Sequence, residues 1–425
     1  MQDKILPGTY INFVSARAGT QEPAARGNVA MGLELDWGKE GEVFSVTLDD
    51  AMKNAQELFG YPYNHEKMKG IRDIFRNATL LHAYRVNAGG TKASNSIAEA
   101  LYSGTRGNDL KVSIQTNVDD EESFDVQTIL DSTVVDFQTA KTFSELKPNA
   151  YVKWKGSGAL SVTAATALTS GTNGTTTGES HQGFLDKIES YFFNAIGVVT
   201  TDDDVKTLYC NFAKRMREEM GIKFQAVVYK KAADYEGVVN VKNKTTDADW
   251  NEASAVYWAT GAIAGAEISK SNTNKLYDGE FTIATDYTQV QLEAAIKAGE
   301  FTFHQVNDDV RVLVDVNSLV TTTDEKGEVF KENMTIRIID DIATQIATLF
   351  NTKYIGKIIN NESGRVSLWA DIISYLTGLQ EQGALTFNQE DVIVSAGEDR
   401  KSVVASIAIE VAGTMEKLYM TCVVG

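Results

Sequence analysis

The chain has only two cysteines in 425 residues, Cys210 and Cys422, far apart and outside any CxxC spacing. That speaks against a disulfide framework and a zinc knuckle and suits a reducing cytosol. Basic residues are also in deficit: 40 Lys and Arg face 58 Asp and Glu, a formal net charge of -18. A dominant phosphate-neutralising surface is therefore not expected, and nucleic acid is not a predicted partner. No window approaches the apolar length of a membrane span, and the opening MQDKILPGTY, with an acid third, does not read as a signal peptide. Without export, the N-x-S/T sites at Asn77, Asn173, Asn243, Asn333 and Asn361 carry no glycosylation meaning. What is present is ordinary for a folded protein, 43% hydrophobic and 23% charged residues, on a chain long enough for roughly two to four domains.

Histidine is scarce as well. His65, His82, His181 and His304 stand singly, with no HExxH or i,i+4 pairing to support a metal site or a histidine triad. His181 follows Ser180 in a Gly/Ser/Thr-rich stretch, and no GxSxG elbow exists. Gly38 and Lys39 imitate the end of a phosphate loop, but Gly32 is one residue too far upstream, Glu34 and Asp36 repel phosphate, and Glu40 replaces the magnesium-binding hydroxyl. GSGALS from Gly156 has the first two glycines of a dinucleotide fingerprint, Ser161 at the third, and no helical pattern behind it. Asp119, Asp120, Glu121 and Glu122 lack the turn glycine and distal Glu of a calcium loop and read as a solvated hairpin tip. No catalytic residue, cofactor or metal ligand is assigned. A cytosolic hydrolase on the α/β portion remains the rival reading, with nucleophile and base unplaced.

The pattern predicts an α+β multidomain chain. Residues 1–22 alternate at Tyr10, Ile11 and Phe13 and then pass into SARAGTQEPAARG, an arm and linker. Residues 23–92 read as α/β: a helix capped by Asp49 or Asp50, ending at Gly60, with Met52, Ala55 and Phe59 at helical spacing, then Met68, Ile71 and Phe75 on one face, then the strand LLHAYRV. Between 93 and 180 the period becomes two, with Leu110, Val112 and Ile114 on one face and strands in FDVQTIL, STVVDFQT and YVKWK, closed by a loop GSGALSVTAATALTSGTNGTTTGES. This is an inserted β-sandwich, after which residues 181–305 resume the α/β domain. There a helix starts at Asp202, Asp203 and Asp204 and ends at Gly221. Residues 306–425 form a C-terminal domain with helices through Ile336, Ile339, Ile346 and Phe350 and through Leu368, Ile372, Leu376 and Leu379. It finishes in strand-like runs at Val403, Ala405, Ile407, Ile409 and Val411 and in KLYMTCVVG.

Five strings, in order along the chain, resemble the contractile tail sheath proteins of phages and of R-type, phage-derived bacteriocins: PGTYINF, DVNSLVTTT from Asp315, RIIDDIA from Arg337, GKIINNESGR from Gly356 and MEKLYM from Met415. The middle agrees in architecture, an α/β part compared in this family to subtilisin and an inserted β-sandwich expected on the outer surface of the sheath. The resemblance implies a non-enzymatic subunit that polymerises helically around an inner tail tube, meets baseplate and tail terminator proteins, and contracts without nucleotide. It also implies assembly in the host bacterial cytoplasm and a later extracellular life in a phage or bacteriocin particle. Terminal strands suit addition to a neighbour's sheet, so Tyr10, Ile11, Phe13, Ile407, Ile409, Val411, Leu418, Tyr419 and Met420 are candidate interface residues. The alternative is that both termini pair within their own subunit. The resemblance assigns the tube contact to the C-terminal domain, where Lys353, Lys357 and Arg365 cluster; a solvated basic face at a helix C-terminus is the competing reading.

Overall fold

The computed structural model describes residues 26–422. The arm of residues 1–22, with Tyr10, Ile11 and Phe13, lies outside the described residues. The chain divides into two bodies, one of Ala30–Arg72 and Leu80–Glu189, the other of the residues up to Val29, Asp73–Thr79 and Ser190 onward.

In the first body, β1 (Asn28–Leu33), β3 (Leu80–Arg85) and β2 (Phe44–Thr47) lie side by side in that order, β2 and β3 antiparallel. Helix α1 (Leu48–Phe59) follows β2 directly. Its cap is Thr47, not Asp49 or Asp50: the hydroxyl accepts from the Asp50 backbone at 3.2 Å while the Asp50 carboxylate reaches back to the Thr47 N–H, a reciprocal capping box. Gly60 ends it at φ 85°, a left-handed position that glycine occupies without penalty. Ala51, Ala55 and Phe59 are its buried residues, and Met52 points outward, so the apolar face is rotated by one position from the expected one. α2 (Lys69–Phe75) continues the turn that buries Met68, Ile71 and Phe75.

The β-sandwich part comprises β4 (Ala98–Ala100), β5 (Leu110–Thr116), β6 (Phe124–Leu130), β7 (Thr133–Ala140), β8 (Val152–Trp154) and β9 (Thr163–Ala167). β7, β6, β5 and β9 form one antiparallel sheet, and β4 pairs with β8. Leu110, Val112 and Ile114 face the core with Val126 and Leu130, as the period of two requires. The stretch expected as one loop contains β9, which pairs with β5 from Lys111↔Ala167 to Ile114↔Thr163 across a bulge. It also contains the start of α3 (Gly178–Ile188). There Thr177 and Ser180 form a capping box, and His181 is buried inside the helix rather than lying in a linker. Hydroxyl-rich sequence reads as loop, yet hydroxyls are also what helix starts use.

The second body holds four parallel strands, β10 (Ala195–Gly197), β11 (Gln225–Tyr229), β12 (Val238–Val241) and β13 (Glu300–Phe301), in that order. α4 (Asp203–Arg215) is capped by Asp202, whose carboxylate accepts from the backbones of Asp204 and Val205, and runs into a π-helical turn Met216–Met220 before Gly221 at φ 77°. α5 (Ala255–Gly265) is apolar around its whole circumference and packs against β10 and β11; a helix without a polar face carries no periodic signal. α6 (Gln289–Lys297) and the hairpin β14 (Phe303–Val306) with β15 (Asp309–Val312) lead to the C-terminal region.

That region pairs α7 (Asn333–Leu349), extended by a π turn Phe350–Tyr354, with α8 (Glu362–Glu381). Met334, Ile338, Ile342, Leu368, Ile372, Leu376 and Leu379 meet in one cluster. β16 (Leu385–Thr386) pairs with β19 (Glu410–Val411), and β17 (Val392–Ala396) with β18 (Val403–Ile407), all antiparallel. KLYMTCVVG, expected as a strand, has no ladder through Cys422, where the described residues end.

Candidate assembly surfaces

The residues considered for chemistry turn out to hold the fold together. Glu40 accepts from the backbones of Ser103 and Gly89 and lies 3.6 Å from the buried Arg85, and Asp36 accepts from Tyr61 and Asn173. Burial opposes ionisation of both acids, but these donors hold each below the usual carboxylate range. Lys39 pairs with Glu42 at 3.3 Å. His82 Nδ1 and Ser45 Oγ are 2.8 Å apart, a contact absent from any local motif, because they are direct cross-strand partners on β3 and β2. Among the described residues no group of three or more His, Cys, Asp or Glu is placed to hold a metal ion, and no helix is long and apolar enough to cross a membrane.

The candidate interface residues separate into two sets. Ile407, Ile409 and Val411 are half-buried against the α7–α8 cluster of their own chain, Ile407 opposite Val392 and Val411 opposite Leu385. Leu418, Tyr419 and Met420 are 85%, 89% and 74% exposed, and Met415 is fully so. Thr273 Oγ1 donates to the Glu416 carboxylate of this tail at 2.8 Å. Further exposed apolar side chains sit nearby in sequence on the same region: Ile358, Ile359 and Val366 around the start of α8, Ile393 on β17 and Val404 on β18. Asn360 ties these segments together by donating to the carbonyls of Arg400 and Ser402.

Lys353 lies in the π turn after α7, Lys357 in the turn that follows it, and Arg365 in the first turn of α8. Lys353 Nζ, itself exposed, lies 3.3 Å from the half-buried Asp371. Lys357 Nζ donates to the Thr352 carbonyl at 2.6 Å, as a cation at a helix C-terminus does. Arg365 donates to Asn360 Oδ1 at 2.9 Å.

A chain of separate α/β, β-sandwich and C-terminal regions, whose last strands end in an exposed apolar tail, is built as a structural subunit. Three models of one family match it in order: the phage tail sheath protein beta-sandwich domain over residues 88–173, the central domain over 174–318 and the C-terminal domain over 325–425. It is 31% identical to the phage-like element PBSX protein XkdK of Bacillus subtilis, across 98% of this chain and 97% of that one. It is 35% identical to the sheath tail protein of Desulfitobacterium hafniense, covering 97% of this chain and 99% of that one with a TM-score of 0.85. The fold also matches the helical sheath of the anti-feeding prophage in its contracted state, with TM-score 0.53 and 12% identity over 99% of this chain and 98% of that one. The chain belongs to the phage tail sheath protein family and is a structural subunit of a contractile tail sheath.

Proposed function

We propose that the chain polymerises helically around an inner tube through exchanged terminal arms and contracts to drive that tube through a target envelope. The observation that carries the reading is the tail from Met415 to Met420: apolar side chains left in water, just beyond two-stranded ladders whose outer edges have no strand partner among the described residues. A neighbouring subunit's sheet satisfies both the backbone and the side chains of such a segment. Exchange between identical subunits is heterologous and propagates as a helix. In this reading the tail and the arm carrying Tyr10, Ile11 and Phe13 reach outward, while Ile407, Ile409 and Val411 form the receiving layer.

The finer assignments follow from family membership. The parallel-sheet region takes the subtilisin-like place without enzymatic work, and the sandwich faces outward. Residues 306–425 form the assembly domain, with Lys353, Lys357 and Arg365 toward the tube. Baseplate and terminator proteins bound the polymer, which assembles in the host bacterial cytoplasm and is carried afterwards by an extracellular phage or bacteriocin particle. Energy resides in the extended lattice as a kinetically trapped arrangement whose subunits repack. Electron microscopy of the purified chain tests the reading: hollow sheath-like tubes are expected, and a uniform globule with hydrolytic turnover would instead establish the hydrolase.

A further inference from the structure

The tail meets the body of its own chain at Glu416, whose carboxylate accepts from Thr273 Oγ1 at 2.8 Å. The same hydroxyl oxygen accepts from Ser271 Oγ and from the Asp315 N–H, each at 3.0 Å. A hydroxyl has two acceptor lone pairs and one proton. With both lone pairs taken, the Thr273 proton is fixed in the direction of the tail. The corner that fixes it is itself held. Ser271 Oγ accepts from the Thr273 N–H at 3.1 Å, and the buried Asp315 accepts from the Asn272 N–H and from Asn333 Nδ2. On the other side of the contact, Met415 and Leu418 stand in water.

Charge works against the contact. Burial and then Glu416 raise the half-buried Glu332 carboxyl, and Asp315 adds to the rise, as neighbouring acids do. Of the cations close by in sequence, Lys331 pairs with Glu328 at 3.0 Å, Lys270 pairs with Glu267 at 2.7 Å, and Arg337 lies 3.7 Å from Asp315. Lys275 is drawn to Asp278 and then to Asp315, and Lys417 belongs to the tail itself. A fixed donor closes the contact and a facing acid opposes it, so the tail is held in a way that opens readily.

We propose that Thr273 latches the tail: in the free subunit it holds Glu416 in cis, and the tail must leave it before it passes to a second copy of the chain. The consequence for exchange rests on the polymerisation proposed above; the latch itself does not. Only unlatched tails are competent to exchange, so the contact slows assembly in proportion to the latched fraction.

Cys422 is exposed and Cys210 buried, so a maleimide fluorophore placed on Cys422 of the full chain reports on the tail. Its anisotropy in the monomer is expected to fall in Glu416→Ala, which changes only an exposed tail residue, and in Thr273→Val. In Glu416→Gln, whose amide carbonyl still accepts and carries no charge to oppose Glu332, it is expected to stay at the wild-type value or above. Unchanged anisotropy in Glu416→Ala overturns the latch, and so does an equal fall in Glu416→Ala and Glu416→Gln. For unlabelled chains followed by light scattering, Glu416→Ala is expected to shorten the lag of polymerisation several-fold. A lag equal to wild type, with anisotropy lowered, overturns the restraint on assembly. No polymer from wild type or variant counts against the polymerisation reading, and the anisotropy still decides the latch.

Discussion

The β-sandwich is built of strands and the C-terminal region of two helices with short strand pairs, and they are held by different means. The sandwich closes on an apolar cluster in which Ala98, Leu110, Val112, Ile114, Val126, Leu130, Val152 and Leu168 are all essentially inaccessible to water. Its long strands complete most of their ladders internally. The C-terminal region has an apolar seam between α7 and α8 as well, but α7 is fastened to the central sheet by buried polar groups. Arg217 meets Asp340, and Gln225 donates to Asn333, which donates in turn to Asp315. Its strands are short pairs, and its exposed side chains include Ile359, Ile393, Val404, Leu418 and Tyr419. An apolar cluster tolerates many packings of similar volume, whereas a forked charge pair is satisfied in one geometry only. The sandwich core is therefore closed on apolar packing, although Val118, Val134, Phe137 and Val162 are exposed on its surface, whereas the C-terminal region sets its exposed apolar side chains beside short two-stranded ladders.

Breaking the polar fastening gives the largest expected effect. Burial works against the Arg217 charge, and Asp340 nevertheless holds its guanidinium above the ordinary value. Asp340→Ala leaves that charge buried without its carboxylate partner, the Phe224 carbonyl still accepting from Nη1, a loss of about 3–5 kcal/mol. Urea unfolding measures it. The double variant Arg217→Met, Asp340→Leu is expected to regain most of the loss, because removing both partners removes the uncompensated charge; equal damage in single and double variants would show that shape, not charge, is what the pair supplies.

Truncating the apolar core sharpens the other side. Leu130→Ala in the sandwich is expected to cost about 2–5 kcal/mol, while Leu418→Ala in the tail changes the folding of the isolated chain by less than about 0.5 kcal/mol. Polymerisation reverses the order: deleting everything after Gly413 is expected to leave a folded monomer that forms no tubes by electron microscopy. Normal tubes from that deletion would place the tail outside the assembly contacts.

A pH test separates the buried polar groups of the second body from the sandwich core. Asp73, fully buried, accepts from the Tyr277 hydroxyl at 2.9 Å and the Glu280 backbone at 2.8 Å. Burial raises its carboxyl to about 7 despite those two donors. The folded chain then holds a proton that the unfolded chain has released, so its contribution is full below the unfolded pKa near 4 and is lost as pH rises through about 7, by at most about 1.4 kcal/mol per pH unit. Asp73→Asn is expected to flatten that slope between pH 4 and 7. An unchanged slope would mean that Asp73 is ionised throughout.

Much of this was legible from pattern. The alternation at Leu110, Val112 and Ile114, the stripe at Leu368, Ile372, Leu376 and Leu379, and the Asp202 and Gly221 caps all stand where spacing put them. The failures are physical. Thr163 to Ala167 consists of threonine and alanine alone, without a large apolar residue to mark a strand, and it is a strand because the β5 edge pairs with it. α5 is buried all round and so shows no face. The Arg217–Asp340 pair spans 123 residues of sequence, and no local motif announces a contact of that range. The tail has strand composition, but strand structure needs a partner, and a single chain provides none for the described residues of the tail.

A small effect on stability is also expected at the basic turn, where the comparison is finest. The exposed Lys353 meets the half-buried Asp371 at 3.3 Å, a surface pair worth about 0–1 kcal/mol. Lys357 neutralises a helix end through the Thr352 carbonyl. If these residues serve the helix alone, reversing both to Glu costs that small amount and nothing more. If they also face an acidic tube, the same double reversal weakens co-assembly with the tube protein strongly at low salt and progressively less as added salt screens the contact. Co-sedimentation with the tube protein across a salt series, alongside thermal unfolding of the free subunit, distinguishes the two. A salt-dependent loss of co-assembly with unfolding shifted by only a few degrees assigns the turn to the tube, whereas co-assembly equal to wild type at every salt concentration confines Lys353 and Lys357 to the end of their own helix.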